Sequence, residues 1–175
     1  MCKTITFVNG LPGAGKSTMM LNLDNKCIIT EPVSQYKINR YLADIENQAF
    51  SFQTEIIEAK FKKIEEMMHK NCKEIYVERY WLLDKSFAKM RLTNNQYNLY
   101  KGYYRKIVSM FNKLVNDYNY TVKHILIDTS VEQCLKNIEK RGIESEIKYY
   151  TIDNLNYIYN ISHYTMIGIK QIQVL

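Results

Sequence analysis

Gly10-Leu11-Pro12-Gly13-Ala14-Gly15-Lys16-Ser17-Thr18 matches G-x-x-x-x-G-K-[ST], a spacing that suits phosphate chemistry. Glycines let successive backbone N–H groups face one anion, and a helix start adds partial positive charge. Lys16 is placed to reach the β- and γ-phosphates, and the Ser17 hydroxyl to hold Mg²⁺. The candidate phosphate contacts are therefore Gly10, Gly13, Ala14, Gly15, Lys16, Ser17 and Thr18. Two carboxylates close apolar β-branched runs: Glu31 after Lys26–Thr30, and Glu78 after Glu74–Val77. Ligands bind at the carboxyl ends of strands in an open α/β sheet, so both are candidates for chemistry, Glu31 as general base.

These residues need a frame. Thr4–Val8 reads as a buried strand before the loop, and Met19, Met20, Leu21 and Leu23 as a helix start after it. Further strands are expected at 26–30, 74–78, 121–128 and 167–175. Helical spacing occupies about 33–45, 48–70, 82–91, 96–117, 131–140 and 152–161. Ser130 can cap the helix from Val131, and Arg141-Gly142 ends it ahead of a polar run, 143–150. Strands alternating with helices imply an α/β fold with a five-stranded parallel sheet flanked by helices on both faces. With no internal repeat or Pro/Gly linker, 1–175 reads as a single P-loop domain.

Bulk properties narrow the class. No apolar run approaches the ~20 residues of a membrane span, and the N-terminus carries no signal-peptide pattern. The formal net charge of +6 is spread without a basic block, so nucleic acid is not an expected partner. Cys2, Cys27, Cys72 and Cys134 are scattered without C-x-x-C or paired His, suggesting neither zinc nor disulfides. Cys27, beside Ile28 and Ile29, reads as a small core residue. The expectation is a cytoplasmic protein. On spacing alone Gln53 and Lys60, two helical turns apart, read as the solvated flank of an apolar helix rather than a pocket lining. The 15 tyrosines read as core and boundary residues, and His69, His124 and His163 lack ligand spacing.

GTPase signatures are missing: Asn112-Lys113-Leu114-Val115 lacks the Asp of N-K-x-D, and no D-x-x-G occurs. Small P-loop chains with an acidic residue after the second strand are typically kinases of small molecules. Several motifs in order resemble the deoxynucleoside kinase family. Thr30-Glu31-Pro32-Val33 with Tyr36 is similar to its E-P-V-x-x-W segment, with Tyr for Trp. Ala49-Phe50-Ser51-Phe52-Gln53-Thr54 is similar to F-x-F-Q-T, and Glu78-Arg79 to the start of E-R-S, with Tyr80 for Ser. Asp84 stands where deoxycytidine- and deoxyguanosine-type members carry Asp. Arg141–Glu146 resembles the lid, with Ile143 where a further Arg is usual. The similarity runs from about Ile5 to Leu155, although the chain is shorter than most members between Tyr36 and Gln53.

The resemblance implies an ATP-dependent deoxynucleoside 5′-kinase of nucleotide salvage on a P-loop kinase fold with a helical lid. It implies that Glu31 is the base, that Arg79 holds Glu31 or the 5′-oxygen, and that Glu78 assists Mg²⁺ with Ser17. Arg141 would neutralise the transferring phosphoryl. Tyr41 and Glu146 would hold the 3′-hydroxyl, Gln53 would read the base edge, and Phe87 would stack on it. Tyr36 and Tyr41 are available to face the ligand. Gln53, Lys60 and Asp84 fall where cytosine- and guanine-type members use Gln, Arg and Asp, which favours deoxycytidine or purine deoxynucleosides over thymidine. If Lys85 or Lys60 instead pairs with Asp84 and turns it away, a broad-specificity pocket that accepts thymidine results. Homodimers are common in the family. A thymidylate-kinase-type enzyme is the runner-up, because Arg79-Tyr80 with Ser86 and Ala88 resembles D-R-Y-x-x-S-x-x-A. The glycines such enzymes carry after E-P are replaced here by Val33-Ser34-Gln35-Tyr36. A catalytically dead P-loop binding protein is opposed by the intact Lys16-Ser17, Glu31 and Arg79.

Overall fold

In the computed structural model, residues 3–23, 27–30, 34–167, 169 and 172–175 are described. Strands β1 (Lys3–Asn9), β2 (Cys27–Ile29), β3 (Glu74–Glu78), β4 (Tyr120–Leu126) and β5 (Ile172–Val174) form one sheet in the order β2-β3-β1-β4-β5. All its pairings are parallel. The central strand β1 has both neighbours, and its Ile5, Phe7 and Val8 are fully buried. Its chain leaves toward β2, whereas the chain leaving β4 goes toward β5. A crevice therefore opens at the carboxyl ends of β1 and β4, where the phosphate loop begins.

The helices are α1 (Lys16–Leu21), α2 (Gln35–Ala43), α3 (Ile45–His69), α4 (Trp81–Arg91), α5 (Asn94–Asp117), α6 (Val131–Arg141), α7 (Glu144–Tyr149) and α8 (Ile152–Ile167). Their starts follow local capping chemistry. Thr93 and Gln96 form a reciprocal capping box on α5, and the Ser130 hydroxyl accepts from the Gln133 N–H on α6. Gly142, at φ 72°, ends α6 in the left-handed conformation. Within the polar run 143–150, residues 144–149 form the short helix α7. Ile167, expected to open the last strand, instead ends α8, and β5 is described at Ile172–Val174.

The main core lies between the sheet and α3, α4 and α5, with Phe7 making edge contacts to Trp81 and Phe111. A smaller cluster joins Leu11 and Ala14 of the phosphate loop to Val131, Cys134 and Ile138 of α6 and Leu155 and Ile158 of α8. The buried stripe of α3 recurs at three and four residues: Ala49, Gln53, Ile56, Ile57, Lys60, Phe61, Ile64 and Met68. The solvated-flank reading of Gln53 and Lys60 is thereby corrected: both lie inside the stripe, at 5% and 0% exposure. Spacing cannot separate polar residues at an interior site from polar residues at a wet edge.

The cysteine expectation also needs correction. Cys27 and Cys72 form a disulfide across 45 residues, with Cα atoms 6.4 Å apart. Parallel pairing sets Cys27 beside Ile75, so the turn before β3 brings Cys72 to the start of β2. Cys134 is a buried free thiol whose pKa is pushed up by burial.

Candidate active site

The phosphate loop is fixed by its glycines and by side chains behind it. Gly13 adopts φ 81°, and a Cβ there would sit 2.4 Å from the Cys134 carbonyl oxygen, so only glycine lets the loop lie on α6. Asn137 Nδ2 donates to the Gly13 carbonyl at 2.8 Å, and the Thr129 hydroxyl to that of Ala14 at 3.2 Å. Lys16, 7% exposed, donates through Nζ to the Leu11 carbonyl at 2.8 Å and lies 3.5 Å from Glu78.

Glu78 ends β3 opposite the loop, and Ser17 Oγ donates to its Oε2 at 3.0 Å. Burial alone would raise the Glu78 pKa, but the charges of Lys16 and Arg79 and the Ser17 hydroxyl outweigh it and hold the pKa below the usual carboxylate value. One hydroxyl and one ionised carboxylate are hard oxygen donors that fit Mg²⁺, an ion that keeps waters and phosphate oxygens for its other positions. Among the described residues no cluster of three or more His, Cys, Asp or Glu gathers as a metal cage.

Arg79 follows at φ 65°, in left-handed backbone unusual for a non-glycine residue. Its Nε is 3.0 Å from Asp84 Oδ1, and its guanidinium lies 5.1 Å from the centre of the Phe87 ring. Asp84, 2% exposed, meets Lys60 Nζ at 2.5 Å through its other oxygen.

These elements enclose a cavity of about 500 Å³, of the size of small-molecule sites. Gly13, Gly15, Lys16, Ser17 and Thr18 line it from the phosphate loop and α1, Glu78, Arg79, Asp84 and Phe87 from β3 and α4, and Tyr41 and Gln53 from α2 and α3. Arg141 and Glu146 line it from α6 and α7, joined by an ion pair at 2.9 Å. A second recess, of about 660 Å³, adjoins it past Gly13 and Ala14, lined also by Asn137, Lys140 and Arg141. Gly10 enters the loop at φ 142° beside Ile127 and lines neither space.

Two expected substrate-binding residues, like Gly10, are placed elsewhere. Tyr36 is 74% exposed and does not line the cavity; its neighbours Gln35 and Ile38 do. Lys60 lies behind the wall, fully buried and bonded to Asp84 and to the Arg79 carbonyl. Phe87 carries the Arg79 guanidinium near its ring. Glu31, Pro32 and Val33 lie outside the described residues, while Thr30, just before them, lines the cavity. Sequence reasoning passed over Phe52, which stacks on Tyr41 at 4.2 Å, and Tyr149, which lines the same cavity and acts on the Tyr41 pKa. Phe52 stood inside a recognised motif. Tyr149 carried no signal beyond following the lid segment. Burial raises the Tyr41 pKa, against the pull of Arg91 and of hydrogen bonds with Tyr149 and Gln53, so its phenol stays neutral and able to donate.

A phosphate loop facing a metal-competent Ser–Glu pair, beside a polar-ended cavity, defines a P-loop phosphotransferase of small molecules. The deoxynucleoside kinase family model matches residues 6–174. The chain belongs to the deoxynucleoside kinase family and is a phosphotransferase of nucleotide salvage. No curated protein matches it significantly. Among solved structures it resembles deoxyadenosine kinase from M. mycoides with the products dCMP and a flexible dCDP, at TM-score 0.74, 20% identity, 98% of this chain and 90% of that one. The same enzyme with dATP matches at TM-score 0.72 and 21% identity, over 97% of this chain and 89% of that one. With dCTP it matches at TM-score 0.72 and 22% identity, over 98% and 89%. At this identity the likeness establishes the shared fold. Among the described residues, no helix is long and apolar enough to cross a membrane.

Proposed function

We propose that this chain transfers the γ-phosphoryl of ATP to the 5′-hydroxyl of a deoxynucleoside, favouring deoxycytidine or purine deoxynucleosides over thymidine. The observation that carries the reading is the continuity of one cavity from Lys16, Ser17 and Glu78 to Gln53 and Asp84. Phosphates and a nucleoside can thereby meet end to end. The phosphate loop and Lys16 cradle the triphosphate, and Ser17 with Glu78 holds Mg²⁺, which neutralises phosphate charge when bound. Glu31 takes the 5′-hydroxyl proton. An ordinary Glu pKa of ~4.3 leaves it ionised at neutral pH. Arg79 orients the acceptor end, and Arg141 meets charge developing on the transferred group. Tyr41 and Glu146 hold the 3′-hydroxyl, and Gln53 and Asp84 face the base. The activity is carried by one domain, 1–175, acting in the cytoplasm as a homodimer.

Asp84 sets the base preference in this reading. An ionised carboxylate only accepts, so it suits the exocyclic amine of cytosine or adenine and opposes a thymine carbonyl. Engagement of both its oxygens, by Lys60 and by Arg79, favours a second reading in which the pocket is indifferent to the base. A phosphorylation panel with ATP over the four deoxynucleosides and their monophosphates tests both. Turnover of deoxycytidine or a purine deoxynucleoside ahead of thymidine is expected. Turnover of monophosphates alone would overturn the assignment in favour of a thymidylate-kinase-type reaction.

A further inference from the structure

Arg79 stands in a backbone conformation that a branched-chain or long side chain seldom adopts unless its surroundings over-determine it. Its surroundings do. The Arg79 N–H donates to the Val8 carbonyl at 2.9 Å. Lys60 Nζ donates to the Arg79 carbonyl at 2.9 Å. The next N–H, of Tyr80, donates to Asn9 Oδ1 at 2.9 Å. Asn9 is fully buried and has its amide anchored in turn, Nδ2 donating to the carbonyls of Phe7 and Ile125 at 3.1 Å each. Each backbone polar group around the corner thus has a partner, and two of those partners are side chains from other elements.

We infer that Asn9 and Lys60 are positioning residues that clamp Arg79 in its left-handed conformation and so set its reach toward the phosphate loop. Lys60 holds Arg79 at both ends: the carbonyl directly, and the guanidinium through Asp84, whose Oδ2 it binds while Oδ1 faces Arg79 Nε. Asn9 immediately precedes Gly10, so the same side chain that fixes Tyr80 also fixes the strand end from which the loop departs. Loop and arginine are therefore tied to one buried side chain. Lys60 is fully buried and absent from the cavity wall, so it acts through Arg79 and Asp84 rather than on the nucleobase. The inference rests on the kinase reading for its effect on turnover, but the clamp itself is open to test without turnover.

The test is a double-mutant cycle between Lys60→Met and Arg79→Gly, read by kcat, KM and the urea midpoint. A ~1 Å misplacement of a reacting group can cost ~10²-fold, so Lys60→Met should lower kcat by ~10- to 100-fold and shift the deoxynucleoside KM by less than ~3-fold. Lys60→Arg, which keeps a charged donor, should recover much of kcat. In the Arg79→Gly background, Lys60→Met should add little further loss, because residues acting as a unit are not additive. A raised KM with normal kcat would overturn the inference and return Lys60 to the base site. Additive effects on kcat would overturn it as well. Should no deoxynucleoside be phosphorylated by the wild type, the kinase reading fails and the urea midpoints still decide the clamp. Glycine accepts the left-handed conformation unaided, so Lys60→Met should lower the midpoint less in Arg79→Gly than in the wild type. Equal shifts would sink it. If Lys60→Met does not fold, Asn9→Ser enters the same cycle with the same expected outcomes.

Discussion

Ser17 Oγ and Glu78 Oε2 face each other at 3.0 Å across the gap between the phosphate loop and the end of β3. The two residues are 61 positions apart and meet because β1 and β3 pair in parallel register, Val8 beside Glu78. Glu78→Gln keeps the shape and removes the charge. The apparent affinity for Mg²⁺ in the kinase assay should weaken by ~10- to 100-fold, the scale seen for disturbed metal ligation. The Glu78 pKa is depressed in the fold, so its charge is present above the ordinary carboxylate value and is lost only as pH falls through the lower, folded value. Metal dependence that vanishes already at pH ~5 would contradict this assignment.

Glu31→Gln is nearly isosteric and cannot accept a proton at neutral pH. A fall in kcat of ~10²-fold or more is expected, with nucleoside binding largely kept. Near-normal turnover would remove Glu31 from the role of base.

Arg141 is about half exposed and pairs with the buried Glu146 at 2.9 Å. The role proposed for it in phosphoryl transfer requires it to leave or share that partner. Arg141→Ala should lower kcat by ~10²-fold, as for loss of a transition-state donor, while the nucleoside KM changes much less. Weaker nucleoside binding at unchanged kcat would assign it to the ground state instead.

Asp84 meets Lys60 and Arg79 and still lines the cavity. A carboxylate opposed to a thymine carbonyl leaves acceptors unpaired, at ~1–3 kcal/mol or a ~5- to 150-fold bias. Asp84→Ala should narrow the ratio of kcat/KM between deoxycytidine and thymidine toward one. A wild type that already prefers thymidine, or a ratio unmoved by the substitution, would leave the broad-specificity reading standing.

His124, 8% exposed, stacks on Phe7 at 5.8 Å, and burial depresses its pKa. A depressed folded value means that its neutral form stabilises the fold above the ordinary pKa of ~6.5, and that this stability is lost as pH falls through the folded value. The melting temperature should drop more between pH ~7.5 and ~5 in wild type than in His124→Leu, whose site cannot be charged. Parallel curves for the two proteins would refute the link.

How much of this was legible in the chain depends on the range of each signal. The phosphate loop was, because its glycines, lysine and serine are contiguous and act through local backbone geometry. The alternation of strands and helices, and the membership of Phe52, Gln53, Glu78, Asp84 and Glu146 in ordered motifs, were legible for the same reason. Periodicity left Lys60 reading as a solvated flank, because spacing does not say what lies across from a polar residue, and the structure places it on the same buried stripe as Ile57 and Ile64. Only packing α3 against β3 and α4 decided that Lys60 meets Asp84 and the Arg79 carbonyl rather than water or a base. Parallel pairing of β2 with β3 decided that Cys27 meets Cys72. The fold of α7 back over the cavity decided that Tyr149 joins Tyr41. Each of these is a contact between elements far apart in the chain, fixed by which faces the sheet order brings together, and local spacing carries no record of that choice.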